Sequence, residues 1–324
     1  MATSPRIDPL HNTSALFARV SRNSERVIVP INDSALGGNT QIPAFYCVHD
    51  VTGGALSDFV ELARRLDTTT RFYGIQTSPK KMLEPEFGAS IKSLATYYVG
   101  KVARFQPQGP FMLGGFCAGA IIALEIAQQL RAAGREVDLL VAIDAAPENT
   151  LADRQPWHPA YWMELVRNLP GWLSHGGLGK EKHSHTLIRR FSNNLIALGK
   201  AAMGRHRSQK MSGGYAIDID MSLSHFPPPQ RLFINRLFSA CFEYFPEMYP
   251  GEVVVYEANT KPLFHLPQLE SRWRGIAPRL NVVGISGTHL GMMREPCVDE
   301  IAKDMGKRFA NYAARNVADA ICQR

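Results

Sequence analysis

The stretch that decides the fold is Gly115-Phe116-Cys117-Ala118-Gly119. It closes the apolar run Phe111–Phe116 and opens a helical pattern from about Ala118 to Ala133, which stops at Gly134. A short and continuously apolar run is typical of a strand buried on both faces. Small residues on both sides of Cys117 allow the close backbone packing of a sharp turn. The stretch therefore predicts a tight turn from a buried strand into a helix.

The same alternation of strands and helices recurs along the chain. Further strands are predicted at Ala44–Val48, Arg71–Gln76, Asp138–Ile143, Glu252–Glu257 and Asn281–Ile285, with an edge strand near Val27–Pro30. Further helices are predicted at Ser57–Leu66, Ile91–Phe105 and Cys297–Ala313. Alternating units of this length predict an α/β fold with a mostly parallel central sheet and helices on both faces.

The alternation is interrupted between about residues 150 and 230. This segment has helix-like stretches and a basic excess that includes Arg189 and Arg190, and it ends at Pro227-Pro228-Pro229. Sheet-forming runs lie on both sides of it, so we predict a helical lid inserted into one domain that covers residues 27–324. Residues 1–26 are interpreted as an N-terminal arm or linker.

The composition excludes several classes of protein. A hydrophobic fraction of 45% and a charged fraction of 20% are ordinary for soluble globular proteins. No apolar run approaches the roughly 20 residues that span a bilayer, and no secretory signal is recognisable, so a cytoplasmic protein is expected. The five cysteines lack metal-ligand spacing, which argues against a zinc site and a disulfide framework. The net charge of +7 favours acidic partners, but no nucleic-acid module is recognisable.

Three residues at strand ends form a candidate catalytic set. Cys117 occupies the strand-to-helix turn, Asp144 follows the next strand, and His289 follows a late strand. Functional groups gather at the carboxyl ends of parallel strands, and the order nucleophile, acid, histidine is a known catalytic order. In such a set His289 would deprotonate Cys117 and Asp144 would orient the imidazole. The N–H of Ala118, at the start of the helix, would bind an oxyanion.

Two of these residues also have a plainer explanation. The turn around Cys117 could be a glycine-rich connection with a buried thiol, and Asp144 could be a helix cap or a loop residue. His49 also follows a strand, but it precedes the nucleophile and fits a role in a turn better. The joint occurrence of three residue types, in order and at strand ends, favours the catalytic interpretation.

Several motifs together resemble one known family. Gly115–Gly119 resembles its nucleophile motif, Tyr73-Gly74-Ile75-Gln76 one of its strands, and Gly287–Pro296 its histidine-containing ending. Pro43–Gly54 resembles its first strand and oxyanion loop, and Pro262-Leu263-Phe264 and Trp273 also match. From about Val27 to the C-terminus, the chain resembles the thioesterase domains of non-ribosomal peptide and polyketide synthases, which have the α/β-hydrolase fold.

The resemblance implies a catalytic triad of Cys117, Asp144 and His289. It also implies a substrate carried on the phosphopantetheine of an acyl or peptidyl carrier protein, no cofactor and no metal. The basic residues Arg189 and Arg190 are candidates for carrier or substrate binding. Nothing in the sequence indicates the oligomeric state, or whether the chain is a stand-alone enzyme or part of a synthase.

The chain departs from the family pattern at three positions. Its nucleophile is cysteine where the family has serine, and Thr288 replaces the common acid before the histidine. The loop from His49 to Gly54 lacks the usual proline and has one additional residue, so either Val51 or Thr52 could donate the second oxyanion hydrogen bond.

Cysteine changes what the acyl-enzyme can do, because loading then exchanges one thioester for another. The acyl group stays reactive, which suits transfer to an amine or ring closure as well as hydrolysis. Two other functions remain open from the sequence: a non-catalytic module that binds a carrier protein, and a hydrolase of free esters.

Overall fold

The computed structural model describes residues 25–36, 43–54, 56–66, 70–148, 226–260 and 269–322, with positions 163, 166, 167 and 170. Most of the predicted arm lies outside this part of the chain, as do the Pro262-Leu263-Phe264 motif and, apart from those four positions, residues 150–225 of the predicted lid with Arg189 and Arg190. Within the described part, no helix is both long and apolar enough to cross a bilayer.

Seven strands form one sheet, as the sequence predicts. They are β1 (Ile28–Pro30), β2 (Ala44–Val48), β3 (Arg71–Ile75), β4 (Phe111–Phe116), β5 (Val137–Ile143), β6 (Glu252–Thr260) and β7 (Arg279–Thr288). Their order in the sheet is β1-β3-β2-β4-β5-β6-β7. Only β1 is antiparallel to its neighbour, and it lies at the edge.

Helices pack on both faces of this sheet. They are α1 (Asp33–Leu36), α2 (Val60–Arg65), α3 (Pro79–Met82), α4 (Ile91–Phe105), α5 (Ala118–Ala132), α6 (Pro228–Glu243), α7 (Leu269–Arg274) and α8 (Cys297–Cys322). One apolar core joins the sheet to α4, α5 and α6, and a second joins the opposite face to α2 and α8. The predicted α/β-hydrolase architecture is confirmed.

Two elements differ from the expectations. The sequence Pro227-Pro228-Pro229 was expected to close the insertion, but α6 begins at Pro228. Proline fits the first turn of a helix because the N–H it lacks has no intrahelical acceptor there. The last helix runs on to Cys322, beyond its expected end near Ala313.

The turn after β4 depends on glycine at position 119. A Cβ added there would overlap the carbonyl oxygens of Val48 and His49, which belong to rigid backbone. The close approach lets α5 start directly beneath the loop that follows β2. Glycine is thus required by packing, although position 119 is helical and alanine is the better helix former.

We expect Gly119→Ala to lower the free energy of unfolding by at least about 2 kcal/mol, because the added methyl group must displace backbone. Gly100→Ala is the matched control, since Gly100 lies on an exposed part of α4 and a Cβ there meets nothing within 4 Å. Higher helix propensity should make that variant more stable by about 1 kcal/mol. Urea unfolding measures both, and equal effects would contradict the packing argument.

Candidate functional site

The structure brings Cys117, Asp144 and His289 together at the carboxyl ends of β4, β5 and β7. Cys117 lies between β4 and α5 with φ 55° and ψ −127°, a backbone conformation that is strained for a residue with a side chain. Asp144 follows β5 directly and also has a positive φ of 47°. His289 follows β7 as the first residue of a short 3₁₀ turn, His289–Gly291. All three positions agree with those expected from the sequence.

Asp144 fixes the orientation of the imidazole. His289 Nδ1 donates a hydrogen bond of 2.7 Å to Asp144 Oδ2, and both side chains are buried. The other carboxylate oxygen, Asp144 Oδ1, accepts a hydrogen bond of 2.9 Å from the N–H of Ala258 on β6. Because both oxygens are held, Asp144 keeps the proton of His289 on Nδ1 and leaves Nε2 for chemistry.

His289 Nε2 is buried and makes no hydrogen bond within the part of the chain that the structure describes. Burial of the ring disfavours the imidazolium, but the Asp144 hydrogen bond and the Cys117 side chain outweigh it and raise the pKa of His289 to about 10. The ring of Phe116 stacks on the imidazole with centroids 4.6 Å apart. This contact of Phe116, the residue between Gly115 and Cys117, was not predicted from the sequence.

Cys117 differs from the other cysteines whose side chains are described. It is half-buried, whereas Cys47, Cys241 and Cys297 are buried. Burial raises the pKa of the Cys47 and Cys241 thiols well above the usual range, which suppresses their reactivity. Among these four cysteines, the accessible thiol is therefore the one at the strained turn.

The loop after β2 distinguishes between the two candidate oxyanion donors. The N–H of Thr52 donates a hydrogen bond of 2.8 Å to Asp50 Oδ1, so it is already used. No hydrogen bond from the Val51 N–H occurs within the described part of the chain. Ala118 is the first residue of α5, so its N–H has no acceptor within the helix. Ala118 and Val51 are thus the available pair, and Thr52 is not.

Two further contacts hold this loop against α6. Gln230 Nε2 donates a hydrogen bond of 2.9 Å to the carbonyl oxygen of Thr52. The ring of Phe233 lies so close to Gly53 that a Cβ on Gly53 would overlap it. The shape of the loop consequently depends on a helix that follows it by almost 180 residues in the sequence.

His49 supports the loop from below, as expected for a residue with a role in a turn. Its Nδ1 donates to the carbonyl oxygen of Asp50, which leaves Nε2 to accept from the hydroxyl of Tyr98 at 2.7 Å. The hydroxyl of Thr77 bonds to Tyr98 in turn. Burial is the main reason why the pKa of His49 falls to about 4, so the ring is neutral at physiological pH.

This shift predicts a loss of stability in acid. The unfolded chain takes up a proton on His49 near pH 6.5, whereas the folded protein resists protonation until about pH 4. Stability is therefore retained above pH 6.5 and falls as the pH drops towards 4, by about 3 kcal/mol from this residue. Urea unfolding of the wild type and His49→Asn between pH 4 and 7.5 measures the difference. The two stability curves should converge in acid, and a constant separation would contradict the prediction.

Comparisons with known proteins give matches to thioesterase domains and to synthases. Residues 43–168 match the family model of the thioesterase domain. A non-reducing polyketide synthase of Metacordyceps chlamydosporia is 39% identical over 108 residues, which are 32% of this chain and 5% of that protein. The atromentin synthetase of Tapinella panuoides is 32% identical over 154 residues, 48% of this chain and 15% of that protein. The chain thus spans a small part of the length of these relatives.

A solved structure is similar over most of the chain. The NocB thioesterase domain from the nocardicin cluster has a TM-score of 0.51 and 20% identity, and the match covers 83% of this chain and 94% of that domain. At this identity the similarity concerns the fold. Together the comparisons confirm the resemblance to the thioesterase domains of polyketide and peptide synthases.

Proposed function

We propose that this chain is a thioesterase that takes an acyl group from a carrier-bound thioester onto Cys117 and then releases it. The observation that carries the proposal is the imidazole of His289, which is held by Asp144 and interacts with the side chain of Cys117. The thioesterase match over residues 43–168 supports the same reaction class.

In this mechanism the proton of Cys117 resides on His289, and the thiolate attacks the thioester carbonyl of the substrate. The raised pKa of His289 favours such a thiolate–imidazolium pair. The N–H groups of Ala118 and Val51 stabilise the oxyanion of the tetrahedral intermediate. The imidazolium then protonates the departing phosphopantetheine thiol, and the acyl group remains on Cys117 as a thioester.

The acyl-enzyme reacts next with water, an amine or a hydroxyl group. Thioester exchange at loading is nearly thermoneutral, so the acyl group keeps its reactivity for this second step. The proposal includes no metal or cofactor of the protein's own, since phosphopantetheine arrives with the substrate. The domain would comprise residues 27–324, with the lid inserted at about residues 150–230 and the cytoplasm as its compartment.

The direct test is the intact mass of the protein after exposure to an acylated carrier protein. We expect the mass to rise by one acyl group, and peptide mapping should place that group on Cys117. A non-catalytic carrier-binding module would show no mass increase and only slow thiol labelling. A free-ester hydrolase would act on small esters while leaving the acylated carrier intact.

The basic residues Arg189 and Arg190 are proposed to attract the acidic carrier protein or its phosphate. Reversing both to glutamate should lower the loading rate from the carrier by about tenfold and weaken its dependence on salt, because charge steers association. Loading from a small soluble thioester should hardly change. Equal losses on the two substrates would indicate a folding defect and would contradict the steering role.

A further inference from the structure

Asp50 lies at the same end of the sheet as Cys117, on the neighbouring strand connection. Strands β2 and β4 are parallel neighbours in which Val48 pairs with Gly115, and Asp50 and Cys117 each lie two residues beyond this pair. The chain places β3 on one side of β2 and β4 on the other, so the strand order reverses at this point. Such reversal points are where open α/β sheets bind ligands.

The carboxylate of Asp50 is held in place by one of its oxygens. Oδ1 accepts hydrogen bonds from the N–H of Thr52 at 2.8 Å and from the Thr52 hydroxyl at 2.5 Å. Within the described residues, Oδ2 accepts no hydrogen bond, and it is not among the atoms sealed from solvent. The side chain thus presents one fixed and open oxygen while the other maintains the loop.

The cation that acts on Asp50 among the described residues is His289, which lowers its pKa without forming an ion pair with it. No lysine or arginine of the described ranges forms an ion pair with it, and Asp58 lies near enough to add repulsion. Burial raises the pKa of Asp58, and the charge of Arg294 partly offsets this rise. Burial and this repulsion, opposed by Thr52 and His289, raise the pKa of Asp50 to about 6. A cationic ligand would relieve the cost of a partly buried carboxylate that lacks a partner.

His289 supplies a second polar group at this end of the sheet. Its Nε2 is buried without a hydrogen-bond partner among the described residues, and its charge acts on Asp50. Hydrolysis needs only the imidazole as a base. A carboxylate close to the oxyanion donors would oppose the negative charge of the intermediate, so its presence needs a different reason.

We propose that Asp50 forms the acceptor subsite of the acyl-enzyme and that the acceptor is a cationic amine. The inference rests on the proposed acyl-enzyme at Cys117 and names the class of its second substrate. Asp50 binds the ammonium group and removes one of its protons. His289 takes a second proton from the nitrogen after the C–N bond has formed.

The ammonium group gives one proton to Asp50 Oδ2, and the neutral nitrogen attacks the carbonyl carbon of the thioester. A C–N bond forms, and the nitrogen gives a second proton to His289 Nε2. The C–S bond then breaks, its electron pair returns to the sulfur of Cys117, and the amide leaves. Asp50 releases its proton to solvent, and no oxidant or reductant is needed.

The test starts from acyl-enzyme prepared with a small soluble thioester. It is challenged with a primary alkyl amine or with the alcohol of equal chain length, and amide, ester and free acid are quantified by mass spectrometry. The wild type should form amide saturably and at least about tenfold more amide than ester. At a fixed total amine concentration, its amide-to-acid ratio should stay nearly level above about pH 6, where the concentration of free amine still changes with pH, and should fall as the pH drops through about 6.

Asp50→Asn keeps an oxygen that can accept from Thr52 but removes the charge. We expect this variant to lose saturation, to lower the amide-to-acid ratio about tenfold, and to lack the pH limb near 6. Asp58→Asn is the matched control and should keep the ratio within about twofold. If Asp50→Asn does not fold, the saturation of amide formation and its pH dependence near 6 in the wild type still test the assignment of Asp50.

An unchanged ratio and pH limb in Asp50→Asn, or a wild type without saturable amide formation, would overturn the acceptor assignment and leave the acyl-enzyme intact. Absence of any acyl group on Cys117 would overturn both this assignment and the function on which it rests.

Discussion

Cys117→Ala is expected to carry no acyl group after exposure to an acylated carrier, because the variant lacks the attacking sulfur. Single replacements of the buried Cys47, Cys241 or Cys297 should leave the adduct in place. Intact mass spectrometry measures the acyl adduct in all four variants. An adduct that persists in Cys117→Ala would mean that another group is the nucleophile.

Cys117→Ser separates loading from release. Serine is the usual nucleophile of this fold, so the variant should still accept acyl groups. The oxygen ester is a poorer acyl donor, because an alkoxide leaves less readily than a thiolate. The variant should therefore accumulate as acyl-enzyme or shift towards slow hydrolysis, as measured by product partitioning with and without an amine. Equal or faster formation of the same product would show that the cysteine is incidental.

His289→Ala is expected to reduce turnover by about three orders of magnitude or more, because it removes the base and the later proton donor. Single-turnover loading from a soluble thioester is the measurement. Near wild-type turnover would mean that His289 is not the base.

Asp144→Asn should retain more activity than His289→Ala, since the imidazole remains and only its tautomer and orientation change. The amide oxygen can still accept from the N–H of Ala258, so the fold around β6 is maintained. Phe116→Leu is a milder comparison, because it removes only the stacked ring. Its loss should stay below about tenfold, and a loss as large as that of His289→Ala would assign the ring a larger role.

The sheet and the order of the catalytic set are predictable from local patterns. Continuous apolar runs such as Phe111–Phe116 bury both faces of a strand, and this strand has the predicted bounds. Helix α6 was missed because prolines favour both the end of an irregular segment and the first turn of a helix. Nothing local distinguishes these cases in Pro227-Pro228-Pro229.

The details of the oxyanion loop could not be predicted because they depend on contacts distant in sequence. The choice between Val51 and Thr52 follows from the hydrogen bond that the Thr52 N–H donates to Asp50 and from the one that Gln230 donates to the Thr52 carbonyl oxygen. The sequence Asp50-Val51-Thr52 did contain a signal, since aspartate often accepts from the N–H two residues later. The unpaired state of the Asp50 carboxylate emerges only when its neighbours are assembled.

The contact of α6 with the loop after β2 limits where segments can be exchanged between homologous chains. A chimera joined just before Pro228 would combine a foreign insertion with the resident helix. One joined within α6 would separate Gln230 and Phe233 from the rest of the helix that aligns them with Thr52 and Gly53. A junction after Glu243, where the helix ends, transfers the insertion together with the whole of this helix.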